Sequence, residues 1–92
     1  MNLRDAILDA LVDDGESIIQ ISEYLQYLSI NYTDEIVIST ILNLLDEQLI
    51  KIEFPRNKAS SDFRAASSEE KMDYWFELTK AGEIEWQKIE EE

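Results

Sequence analysis

A chain of 92 residues makes one small domain, spanning 1–92, that buries about 60–65% of its unfolded surface in a single core. Its hydrophobic content of 45% and aromatic content of 10% exclude disorder, and the absence of Cys and His excludes disulfides, thiol chemistry and imidazole bases or ligands. The net charge of −13, from 21 acids and eight bases, repels phosphate and attracts basic partners.

A first helix is expected over 3–13, because Leu3, Ala6, Ile7, Ala10 and Leu11 fall on one helical face. Gly15, after Asp13 and Asp14, suits a left-handed helix cap. The acids within this apolar stretch do not fit a signal peptide, and no 18-residue apolar run occurs, so a cytoplasmic protein with no membrane span is expected. Ser17-Ile18-Ile19 is either a very short strand or the entry to a second helix over about 20–29, marked by Ile21, Leu25 and Leu28. Tyr24 and Tyr27 share the flank of that helix. Asn31 to Asp34 form a turn, and Thr33 or Asp34 caps a third helix that reaches about Gln48. Asp34 and Glu35 suit the positive end of that helix.

The period then changes from helical to alternating. Ile50, Ile52 and Phe54 alternate with Lys51 and Glu53, as in a strand with one buried face, and Pro55 stops it. Residues 56–71 are polar and are expected as a long mobile loop. Tyr74, Phe76 and Leu78 form a second strand whose register lets them share a core face with Ile50, Ile52 and Phe54, leaving Trp75 on the outer face. Thr79 caps a last helix in which Trp86 and Ile89 lie one turn apart, with Trp86 against the first helix. The tail Glu90-Glu91-Glu92 is expected to fray.

Three helices followed by a β-hairpin and a last helix describe an α+β, mainly helical winged helix: a three-helix core, a two-stranded wing hairpin with its loop at about 55–72, and a C-terminal helix. LLDEQLIKI at 44–52 resembles the step that ends the recognition helix of small bacterial winged helix-turn-helix regulators. YWFELTKAGEIEW at 74–86 resembles their passage from wing strand to C-terminal helix. MarR-like and PadR-like proteins carry these patterns, and the resemblance covers about residues 17–86. One departure is Gln48, which stands where those families usually have Gly; either Gln adopts the left-handed turn at a small cost or the helix ends differently.

On the third helix, Val37, Ile41 and Leu44 are the expected core stripe, and Ile38, Leu42 and Leu45 form a second apolar stripe beside it. The resemblance implies that Ile38, Ser39, Leu42 and Asn43 point where DNA would lie. Groove readout needs Arg or amide donors with phosphate-binding bases alongside, and this helix has no base. The second stripe is therefore either core, covered by the first and last helices, or a contact face for a protein partner or a second copy. Ile38, Ser39, Leu42, Asn43, Leu45 and Asp46 are the candidate interaction residues. Arg56, Lys58 and Arg64, with only Asp62 against them, are candidate nucleic-acid contacts in the wing loop, and Phe63 either tucks back onto the domain or anchors a partner. Leu3, Ile7, Trp86 and Ile89 are candidate dimer contacts on the terminal helices.

The acid pairs lie in polar runs where no pKa shift is expected, and Asp13, Asp14 and Glu16 lack the spacing of a calcium loop. No cofactor, metal site or enzymatic activity is expected. The leading expectation is a protein-interaction module with an acidic surface for a basic partner and an apolar stripe on the third helix. The alternatives are a dimeric DNA-binding regulator using the wing loop, and a small subunit of a larger assembly.

Overall fold

Capping side chains set most of the helix starts. In the computed structural model, which describes residues 1–91, Asn2 accepts the Asp5 N–H at 2.8 Å and opens α1 (Leu3–Ala10). Ser17, from the two-residue strand β1 (Glu16–Ser17), caps α2 (Ile18–Tyr27), with Gln20 returning a bond to the Ser17 N–H at 3.1 Å. Thr33 caps α3 (Asp34–Asp46) by accepting the Ile36 N–H at 3.2 Å. β2 (Ile50–Phe54), α4 (Ser60–Ala65), α5 (Ser68–Met72), β3 (Trp75–Leu78) and α6 (Lys80–Glu90) follow. The described residues thus form an α+β, mainly helical fold with a three-stranded antiparallel sheet ordered β1-β3-β2. Among them, no helix is long and apolar enough to cross a membrane.

Two helices end in the same way. Leu49 N–H bonds the Leu44 carbonyl at 3.0 Å, and Ile30 N–H bonds the Leu25 carbonyl at 3.1 Å. Each six-residue closure needs a left-handed residue just before its donor. Gln48 (φ 61°) and Ser29 (φ 57°) fill those positions without being Gly. A left-handed side chain costs roughly 1–2 kcal/mol, which the closure and the burial of Leu49 offset.

The first helix departs from expectation. It stops at Ala10, and Gly15 is not left-handed. Gly15 instead lies so close to the sheet that a Cβ there would meet the Glu53 side chain and come within 3.2 Å of the Phe76 carbonyl.

The hairpin carries a second correction. Ile50 opposes Leu78 and Ile52 opposes Phe76, as the alternation implies, but a bulge then inserts Glu53 and Phe54 opposes Trp75. Phe54 is thereby turned out of the core face and is 55% exposed, whereas Tyr74 and Phe76 stay buried.

The third correction concerns 56–71, which is not a free loop. Asp62 accepts the Ala59 N–H at 2.7 Å and starts α4, and Ser67 with Glu70 forms a capping box that starts α5. Phe63, with no exposed surface, anchors both helices. Its ring meets Phe76 edge-on at 5.2 Å and Tyr74 at 5.1 Å. Lys71 lies 5.6 Å above that ring and donates to the Ala66 carbonyl at 2.6 Å. One buried aromatic thus holds down a segment that is otherwise polar.

α6 is fixed at both ends. Thr79 caps it by accepting the Gly82 N–H at 3.0 Å, donates its hydroxyl to the Gln48 carbonyl at 2.6 Å, and gives its N–H to the Leu49 carbonyl at 3.0 Å. Gly82 is needed there, because a Cβ would collide with the Leu49 carbonyl. Further along, Trp86 donates its indole N–H to Asp9 at 2.8 Å, and the Tyr24 hydroxyl donates to the other oxygen of the same carboxylate. Asp9 therefore joins α1, α2 and α6. The helix runs through Glu90, and Glu91 N–H bonds the Gln87 carbonyl at 3.1 Å. Of the tail expected to fray, Glu92 lies outside the described residues.

Candidate interaction surface

α3 presents three stripes, each with a different fate. Val37, Ile41 and Leu44 have no exposed surface and form the centre of the core. Ile38 and Leu42 are half-buried and pack on that core, and Leu45 is buried. α4 packs against this part of α3, and Arg64 pairs with Asp46 at 3.1 Å across the contact. Ser39 and Asn43 are exposed.

The third stripe was not singled out by hydrophobic spacing. Ile36, Thr40, Asn43 and Glu47 lie at i, i+4, i+7 and i+11 and border a groove between α1 and α3. Asn2, Leu3 and Arg4 form its other wall, and its volume is about 710 Å³. Ile36 is 51% exposed. Arg4 bonds Glu47 at 2.9 Å, so the one base in the groove is already neutralised. The groove gathers Asn43, Asp46 and Leu3 from the expected sites and adds Ile36, Thr40, Arg4 and Glu47. A mixed apolar and polar stripe gives no strong hydrophobic signal, which is why the sequence does not mark it out.

The bases Arg56, Lys58 and Arg64 do not converge. Arg64 sits on α4 and is held by Asp46. Arg56 shares a surface groove with Glu53, Phe54 and Trp75. Lys58 lines a different groove, beside β2 and the start of α6. The terminal-helix candidates serve the fold: Ile7 has no exposed surface, Leu3 and Ile89 pack on the core, and Trp86 is bonded to Asp9. Ile7 therefore has no surface to offer a second chain.

An acidic cleft of about 580 Å³ lies on another side, lined by Asp9, Asp13, Asp14 and Glu16 with Tyr24 and Trp86. Partial burial, then the nearby Asp14 and Glu23 carboxylates, push the Glu16 carboxyl above its usual pKa. This shift runs against the expectation for acids in solvated runs. Glu70 moves the other way, below its usual value, chiefly through its bonds to Ser67.

No protein family, curated protein or solved structure matches the chain.

Proposed function

We propose that this chain is a non-enzymatic winged-helix module that binds another protein. The element order and the β1-β3-β2 sheet are compatible with a winged helix, in which α3 would take the recognition position. The observation that carries the functional proposal is the α1–α3 groove. Its wall includes exposed Ile36 and half-buried Leu3, and its single base, Arg4, is engaged by Glu47. Such a groove has apolar contact area for a protein segment and no free cation for phosphate. The acidic cleft beside Glu16 favours a partner with basic side chains.

A DNA-binding regulator is the second reading, favoured by the position of α3 alone. Arg56, Lys58 and Arg64 lie in different places, and a chain at −13 repels a duplex. Titration with random duplex DNA at low salt, about 50 mM, tests both proposals where phosphate contacts are strongest. No binding is expected; binding that disappears in Arg56→Glu plus Lys58→Glu would overturn the protein-binding proposal. A photo-crosslinking residue placed at Ile36 tests the groove directly. It should capture one discrete protein from the source cells, and the same probe at exposed Tyr27 should not; equal capture at both positions would count against the groove.

A further inference from the structure

Ion pairing leaves the bases unequally engaged. Arg4, Lys51, Arg64 and Lys88 sit in ion pairs, and Lys71 donates to two carbonyls. Among the described residues, the side chains of Arg56, Lys58 and Lys80 make neither an ion pair nor a hydrogen bond. Two of these, Lys58 and Lys80, line one groove of about 570 Å³ between β2, the segment before α4 and the start of α6. Lys58 is near enough to Glu70 to help hold its carboxyl low, without an ion-pair contact.

The charge balance of this groove opposes that of the whole chain. It is lined by Lys51, Lys58 and Lys80 against a single acid, Glu47, and Glu47 is already bonded to Arg4. The cleft beside Glu16 is lined by four acids and no base. In a chain at −13, two unpaired amines in one recess are the places where an anion meets attraction instead of repulsion. The rest of the lining is mixed: Ile52, Ala59 and Ala81 give it apolar surface, and Gln48, Ser60 and Thr79 give it uncharged polar groups. A long polyanion does not suit the recess, since it would leave the two amines and run across an acidic surface.

The geometry points to a binding site for a ligand with one compact anion, a phosphomonoester or a carboxylate, on a short apolar body. The amines of Lys58 and Lys80 neutralise the anion, and Ile52, Ala59 and Ala81 cover the body. This site is separate from the α1–α3 groove and does not depend on it.

The test is a ¹H–¹⁵N titration of the full chain with phenyl phosphate, with phenylacetate and with uncharged 2-phenylacetamide. At about 150 mM salt the Debye length is about 8 Å, so the repulsion of the whole chain is screened while close contacts persist. At least one anion should shift the amides of Lys58–Ser60 and Thr79–Ala81 saturably, and which anion does so separates the phosphate from the carboxylate source. Lys58→Gln plus Lys80→Gln should weaken binding by at least about tenfold, the effect of losing a charge-assisted contact. Arg56→Gln plus Lys88→Gln removes the same charge elsewhere and should leave binding unchanged. All four positions are exposed, so the spectra away from the groove report that each variant is folded. The proposal is overturned by any of three results: no saturable shift with either anion, equal shifts with the uncharged amide, or equal weakening by both double variants.

Discussion

Replacing Phe63 with Ala tests the account of residues 56–72 most directly. The ring has no exposed surface, and it contacts Phe76 at 5.2 Å, Tyr74 at 5.1 Å and the Lys71 amine at 5.6 Å. Removing a buried Phe costs about 3–5 kcal/mol, and the two aromatic contacts account for roughly 0.5–1.5 kcal/mol each within it. α4 and α5 are short and lie at the surface, so the site can partly collapse, which places the loss near 3–4 kcal/mol. A domain of this length has about 5–14 kcal/mol in all. At roughly 4–8 °C per kcal/mol, Tm should fall by about 15–30 °C. Urea unfolding measures the loss, and hydrogen exchange shows whether amides in 60–72 lose protection before the rest. Phe63→Leu keeps most of the volume but loses both ring contacts, so it should cost less than Phe63→Ala, about 1–3 kcal/mol, and provides a folded reference. A loss under about 0.5 kcal/mol for Phe63→Ala is what an exposed loop residue would give, and it would refute the anchoring role.

Other outcomes follow from the same contacts. Asp9→Ala removes the acceptor for Trp86 and Tyr24 and should destabilise by about 1–3 kcal/mol in urea unfolding followed by tryptophan fluorescence; an unchanged midpoint would contradict the three-helix link. Gln48→Gly relieves a left-handed side chain at φ 61° and should gain about 1 kcal/mol, with a thermal melt as the check. Gly82→Ala drives a methyl into the Leu49 carbonyl and should cost about 1–3 kcal/mol; a neutral result would mean that α6 does not press on that turn. Glu16 has a folded pKa raised above its unfolded value, so its favourable term exists at low pH and is lost as pH rises through the carboxylate range. Glu16→Gln should therefore be more stable than the parent at neutral pH, and the difference should shrink on acidification; a difference that grows toward acid would reverse the assignment.

Helical spacing identified the α3 core without help. Val37, Ile41 and Leu44 are all fully buried, Thr33 and Thr79 cap where expected, and Trp86 packs toward α1. These features rest on i, i+4 contacts or on one capping side chain, both of which are local. Phe54 was misplaced because an inserted residue shifts cross-strand pairing while leaving the sequence alternation intact. α4 and α5 escaped because helices of six and five residues are too short to show a period. The Ser67–Glu70 capping box is a signal in the sequence, but Ala59 has no capping side chain, and both helices depend on Phe63 finding Phe76, a contact across thirteen residues. The α1–α3 groove needed both helices in place, since neither carries a strong apolar signal along that wall.

Three joints link three helices into a closed triangle. Arg4 to Glu47 ties α1 to α3, Thr79 to Gln48 and Leu49 ties α3 to α6, and Trp86 to Asp9 ties α6 back to α1. A triangle of struts cannot shear without stretching a side, so the walls of the α1–α3 groove are braced before anything enters it. A segment docking there would meet a preformed recess and spend little of its binding energy on ordering the host.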